Sequence, residues 1–228
     1  MDFIETAQYN APSESSTFES GESRANIPDP WRLYRHPNGD IYYYHPPLRL
    51  ITPDDITNPD TLEYIMDARE DHLQCLSGDP NLHILPSDHE LVVSDVSETA
   101  AVLRMYSRFT GAAYEWTEER GLIVKSKEHF WSHVAEYPTH HALLPPNTER
   151  EFVESLSNAK ADIQNGVVFA FSERQIDQII ARYDNLAALR VEGRNTTPAL
   201  AWLMGAVMPL DAVGNVRNLE AVMNGLHF

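Results

Sequence analysis

Two histidines, His129 and His133, stand four apart in the 228-residue chain. A spacing of four puts both side chains on one face of a helix, which is ligand geometry for a divalent metal. His140 and His141 follow closely and offer a third donor. The run reads His-Phe-Trp-Ser-His, however, and lacks the glutamate of the zinc-protease motif. With Phe130 and Trp131 between them, the plain alternative is a packed helix carrying one buried, hydrogen-bonded imidazole. The single cysteine, Cys75, excludes an internal disulfide and a thiolate metal cluster. It lies beside Leu73 and Leu76 on the apolar stripe of a helical pattern, where a core thiol is expected. No glycine-rich phosphate loop and no Gly-x-Ser-x-Gly elbow is present. Carboxylates are numerous, but spacing singles out no pair of them. The sequence therefore assigns no catalytic residue, no metal ligand and no cofactor.

Charge sets the next bound. Lys plus Arg number 17 and Asp plus Glu 34, a formal net charge of −17. Such a chain repels phosphate backbones and anionic lipid surfaces, which argues against nucleic-acid partners. The longest apolar run, 198–210, is too short for an ordinary transmembrane helix and is interrupted by Pro209. The acidic N-terminus does not read as a signal peptide. The expectation is an intracellular protein, cytoplasmic or nuclear, without a membrane span.

These residues need elements to position them. Residues 1–26 are acidic, serine-rich and nearly free of aliphatics, and are expected to form a disordered tail. In 27–57 aromatic and β-branched residues flank Asn38-Gly39, a strong hairpin signal. With a second turn at His45-Pro46-Pro47 they predict three short strands, about 31–36, 40–45 and 48–52. Residues 58–228 read as mostly helical, with a possible hairpin near 101–117 and a strand at 90–94. Helices are expected over about 59–76 behind an Asn58 cap, with Leu62, Ile65, Met66, Leu73 and Leu76 inward, and over about 127–137. Two capping boxes, at Thr148–Glu151 and Ser172–Gln175, open two more helices. Short helices at 198–208 and 215–226 complete the pattern.

The 27–53 segment resembles a WW domain. The resemblance rests on Ile27-Pro28 ahead of Trp31, the turn Pro37-Asn38-Gly39-Asp40, the aromatic strand Tyr42-Tyr43-Tyr44, and a third strand ending at Thr52. It implies a core of Pro28, Trp31 and Tyr43. It also implies a concave face formed by Tyr42 and Tyr44, bordered by Arg49, Ile51 and Pro53, that would grip a polyproline-II or extended peptide. The family's second Trp is replaced by Pro53, so one wall of that groove is missing and the implied binding is weak. The signature Phe130-Trp131-Ser132-His133-Val134 through Tyr137-Pro138-Thr139-His140 resembles that of fungal, mushroom-type WW-domain proteins.

The fold class expected is therefore α+β, a three-stranded antiparallel WW-like meander followed by a mostly helical domain. The function expected is non-enzymatic: a scaffold-like protein binding proline-rich or extended peptide segments of other proteins. Two alternatives stand beside it. The WW-like sheet is purely structural within one fused domain, or the chain is a His-based metal-binding protein using His133 and His140.

Overall fold

The computed structural model describes residues 27–212 and 214–226, and the expected disordered tail lies outside them. Seven strands occur along the described chain: β1 (Arg32–Arg35), β2 (Ile41–His45), β3 (Leu50–Thr52), β4 (Glu90–Ser97), β5 (Ala100–Ser107), β6 (Ala112–Thr117) and β7 (Gly121–Val124). One helix, α1 (Pro59–Ser77), is inserted between β3 and β4. Five follow the last strand: α2 (Lys127–Glu136), α3 (Thr148–Gln164), α4 (Glu173–Val191), α5 (Thr197–Val207) and α6 (Asn215–Gly225).

The expected fold class is corrected here. The three N-terminal strands form as expected, but they do not make a separate meander ahead of a helical domain. They are the first three strands of a single seven-stranded sheet in the order β1 to β7. The joint is a parallel pairing of β3 with β4, Leu50 opposite Leu91 and Ile51 opposite Val92, with α1 as the crossover. Every other neighbouring pair is antiparallel. The physical reason is edge protection. A sheet of three short strands is marginal alone, and Leu50 and Ile51 are apolar on both faces, so the open edge of β3 needs a partner. The run Leu91-Val92-Val93 is likewise apolar on successive residues, which suits a strand covered on both sides.

Side-chain alternation divides the sheet between two cores. Trp31, Tyr43, Leu50, Leu91, Val93, Met105, Tyr114 and Leu122 pack with Ile65 and Leu76 of α1. Tyr42, Ile51, Val92, Tyr106 and Ala113 face the other way, toward Phe130, Trp131 and Val134 of α2 and the helices beyond. The sheet is thus a middle layer with helices on both sides. In the second helical layer α5 is the central element. Its side chains are buried on all sides apart from Pro198, the pattern of an internal helix. No described helix is long and apolar enough to cross a membrane.

Local signals explain most helix boundaries. Asn58 caps α1 through Asp60 N, and Ser172 with Gln175 forms the expected capping box of α4. The box at Thr148 does not form. Asn147 takes the cap position in a left-handed conformation (φ 64°) and Thr148 is already helical, its hydroxyl donating to Pro145 O at 2.7 Å. On α1, Cys75 is exposed rather than in the core, while His72 takes a buried place beside Ile65 and Leu76.

Burial of His72, with a smaller push from His89, lowers its pKa from 6.5 to about 4. The folded state therefore refuses a proton that the unfolded chain accepts. Stability from this group is full above pH 6.5 and is lost progressively as pH falls to about 4. Chemical denaturation of wild type and His72→Leu at pH 7 and pH 4.5 should show the variant losing less stability on acidification. Equal losses would place this part of the acid sensitivity elsewhere.

Candidate metal centre

Glu90 is the first residue of β4, and alternation turns its side chain toward α2, away from the Leu91 side. Across the ladder it faces Tyr106. His133 of α2 lies flat on the Tyr106 ring, 3.9 Å between centroids at 8°. Past α2 the chain turns at Pro138 and brings His140 and His141 over the same carboxylate. Tyr42 of β2 pins that turn. Its hydroxyl oxygen accepts from Thr139 N at 2.8 Å and His140 N at 3.0 Å. Four elements distant in sequence thus meet at one buried glutamate.

The Glu90 and His140 side chains are 4 % and 0 % exposed. His133 Nε2 donates to Glu90 Oε2 and His140 Nε2 to Glu90 Oε1, each at 3.2 Å. The donor assignment follows from the carboxylate, which accepts only. Nδ1 of His140 then accepts from the Tyr42 hydroxyl at 3.0 Å. Burial pushes the Glu90 carboxyl up, but the hydrogen bonds from His133 and His140 outweigh it and hold the group at about 2. Burial pushes His133 down against the pull of Glu90. The centre is therefore an anionic carboxylate, with the His133 imidazole beside it biased toward its neutral form.

His141 does not fit this scheme. Its Nε2 is 2.9 Å from Glu90 Oε1, yet this buried atom has no hydrogen-bond partner among the described residues. The ring nitrogen approaches the oxygen off the line a hydrogen bond requires. Two ligands at a right angle on an ion with bonds of ~2.05 Å lie ~2.9 Å apart with their lone pairs aimed at the ion instead of at each other. One ligand atom from each of Glu90, His140 and His141 lies within 4.8 Å of the others. Two imidazoles and a carboxylate suit a divalent first-row transition ion and leave coordination positions open. Two contacts adjoin the group, His133 on the far carboxylate oxygen and Tyr42 on the far nitrogen of His140, where a metal-bound ring would have to donate instead of accept.

Beside this group lies a cavity of about 10 Å³ bordered by Arg108, His133, Tyr137, His141 and Leu143, close to the least volume that holds one water. Among the described residues Nδ1 of His133 has no hydrogen-bond partner. Arg108 Nη2 donates to Leu143 O. Burial pushes the guanidinium down to about 10, opposed by Glu90, Tyr44 and Tyr42.

The residues expected to grip a peptide occupy very different surroundings. Tyr42 and Ile51 are 2 % and 0 % exposed, within the core shared with α2 and α5. Tyr44 is half-buried with its ring 4.4 Å from that of His140. Arg49 is exposed and donates to Ser87 O, and Pro53 is exposed. Only Tyr42 and Pro53 of this set border the cleft of about 420 Å³ between β2 and the α2, α5 and α6 helices. The space in front of the tyrosines is filled by the chain's own 137–140 turn. Trp31 and Tyr43 are buried on the α1 side, and Pro28 is half-buried. Of the histidines singled out by spacing, His129 is exposed and bonds to Ser126, while His133, His140 and His141 converge. Spacing missed Glu90 and Arg108. The available signal was a lone acid heading the apolar run Leu91-Val92-Val93.

Tyr42→Phe isolates the pin. It leaves the N–H groups of Thr139 and His140 without their acceptor, and unfolding in denaturant should show a loss of about 1–3 kcal/mol. A loss below about 0.5 kcal/mol, the ordinary scatter of an exposed substitution, would mean the turn is held by other contacts.

No protein-family model matches the chain, no curated protein matches its sequence, and no solved structure matches its fold.

Proposed function

We propose that this chain is a metal-binding protein that holds one divalent transition ion on Glu90, His140 and His141. The observation that carries the reading is the 2.9 Å approach of His141 Nε2 to the buried Glu90 Oε1 without a hydrogen bond. In this reading the WW-like strands are architecture. Their tyrosine face is the wall on which the ligand-bearing turn is fixed, which favours a structural role for the sheet over a peptide groove. Coordination by His140 through Nε2 requires the tautomer with its proton on Nδ1, so the Tyr42 hydroxyl must turn away, and because an imidazole ligand must be unprotonated, binding weakens in acid.

The test is calorimetric titration of the chelator-treated full chain with Zn²⁺. One ion per chain is expected, with His141→Ala losing about tenfold or more in affinity while its far-ultraviolet spectrum is unchanged. Absence of saturable uptake by the folded wild type, or unaltered affinity in His141→Ala, would contradict the reading.

A further inference from the structure

The two faces of the sheet are covered unequally. Helices α2 to α6 build the layer on the Glu90 side, whereas α1 is the only α-helix among the described residues packed on the other. It packs mainly on β4, and the same face of β5 and β6 is left partly open beside it. The gap is a cleft of about 640 Å³, within the range of small-molecule sites. Spacings of three and four along α1 put Tyr64, Asp67, Ala68, Asp71 and Cys75 in one stripe on its wall. Leu103 of β5 and the Trp116 ring of β6 give it an apolar floor.

The polar groups of the cleft are acceptors. No Lys or Arg among the described residues borders it. Glu98, in the turn from β4 to β5, joins Asp67 and Asp71 at the rim, and none of the three has an ion-pair partner among the described residues. Glu115 also borders the cleft but is paired with Lys125 and Arg120. Deeper in the cleft lies His72, only 8 % exposed, its ring centroid 6.4 Å from that of Trp116. Its Nε2 stands 3.4 Å from Met105 Sδ. A thioether only accepts, so Nε2 carries the proton and Nδ1 is an acceptor. Among the described residues Nδ1 has no hydrogen-bond partner. Burial holds the pKa of this ring at about 4, so the acceptor persists at neutral pH. A buried acceptor left unmet is costly, and a ligand that brings a donor removes that cost.

We infer that this cleft binds a linear aliphatic polyamine, with ammonium groups on Asp67, Asp71 and Glu98, methylenes on Leu103 and the Trp116 ring, and one N–H on Nδ1 of His72. Asp67 and Asp71 are about 6 Å apart along the helix axis, an interval that a few methylenes span. An ammonium against an indole face gains a further attraction. The formal charge of −17 draws a polycation toward the chain. The site uses none of the residues of the Glu90 group and stands or falls without the metal reading.

The experiment uses the full chain and spermine, a linear tetra-amine. Calorimetric titration at physiological salt should show one saturable site per chain. Asp67→Asn with Asp71→Asn should bind about tenfold or more weakly. Glu154→Gln with Glu220→Gln removes the same charge from exposed positions on α3 and α6 and should stay within about twofold of wild type. Cys75 is the single cysteine, exposed and on the wall of the cleft, so spermine should slow its alkylation by uncharged iodoacetamide severalfold. No saturable binding by wild type overturns the site. Equal weakening in the two double variants shows attraction to net charge and also overturns it. Binding that leaves the Cys75 rate unchanged places the polyamine elsewhere. Binding of oligolysine with none of spermine shows that the class is wrong. Thermal unfolding shows whether each variant is folded, and the wild-type titration with Cys75 protection needs no variant at all.

Discussion

Glu90→Gln should abolish stoichiometric metal binding, lowering affinity by at least about 100-fold, more than loss of any second-layer partner. It should also destabilise the metal-free chain by about 2–4 kcal/mol. Both effects follow from the two carboxylate oxygens. Oε2 accepts from His133 and Oε1 from His140, and glutamine keeps one acceptor while turning the other into a donor. One imidazole N–H then meets an amide N–H in the core. His133 can relieve the conflict by moving its proton to the unpartnered Nδ1, which keeps the loss below that of a stranded charge. His140 can make the same move only if the Tyr42 hydroxyl, which donates to its Nδ1, turns away. The pH dependence has a definite sign. The Glu90 carboxyl is held at about 2 in the fold against its ordinary 4.5. Its contribution is therefore full above pH 4.5 and is lost as pH falls toward 2, so the wild-type advantage over Glu90→Gln should shrink across that window. An advantage that grows on acidification would mean the carboxyl is protonated in the fold.

The second large effect is remote from the carboxylate. Gly205→Ala should destabilise the chain by about 3 kcal/mol, even though alanine is the better helix former by about 1 kcal/mol. A Cβ at 205 would lie 2.5 Å from Ala135 N, 2.5 Å from Trp131 O and 2.9 Å from Ala135 Cα. All three are backbone atoms of α2, so no side chain can swing away and the helices must separate. His133 lies between the two contact points on α2, so the shift also moves the imidazole that braces Glu90. Gly214→Ala is the matched control, since nothing lies within 4 Å of its added methyl, and it should change stability by less than about 0.5 kcal/mol. Denaturant unfolding of the two variants measures the difference. A Gly205→Ala chain as stable as wild type would mean that α2 and α5 are not packed backbone to backbone.

The contrast between those two glycines shows what the sequence reveals and what it hides. Local signals are legible. Asn58, Ser172 and Gln175 cap the helices they precede, Asn38-Gly39 turns the first hairpin, and the apolar 198–210 run forms a buried helix. Non-local pairing is not legible. Nothing near Leu50 announces that its outer edge is completed by Leu91, so the first three strands read as a separate module and the fold class expected was α+β with two regions in series. The same limit governs the site. His133, His140 and His141 are within nine residues and attract notice by spacing. Glu90 arrives from the far side of α1, and Arg108 from the end of β5, so neither is visible beside the histidines. Tyr42 shows how a face is misassigned. Alternation correctly separates Tyr42 from Tyr43, but it cannot say that the turn after α2 folds back over the Tyr42 side.

A metal ion held by Glu90, His140 and His141 would be visible by anomalous scattering. Crystals of the full chain grown with Zn²⁺, measured on both sides of the zinc absorption edge, test it most directly. One strong anomalous peak is expected within bonding distance of a Glu90 oxygen and the Nε2 atoms of His140 and His141, lost in crystals of Glu90→Gln. A zinc-soaked chain with no peak there, its His140 still donating to Glu90 and its Tyr42 still donating to His140, would show the cluster to be a closed hydrogen-bond network and would contradict the account.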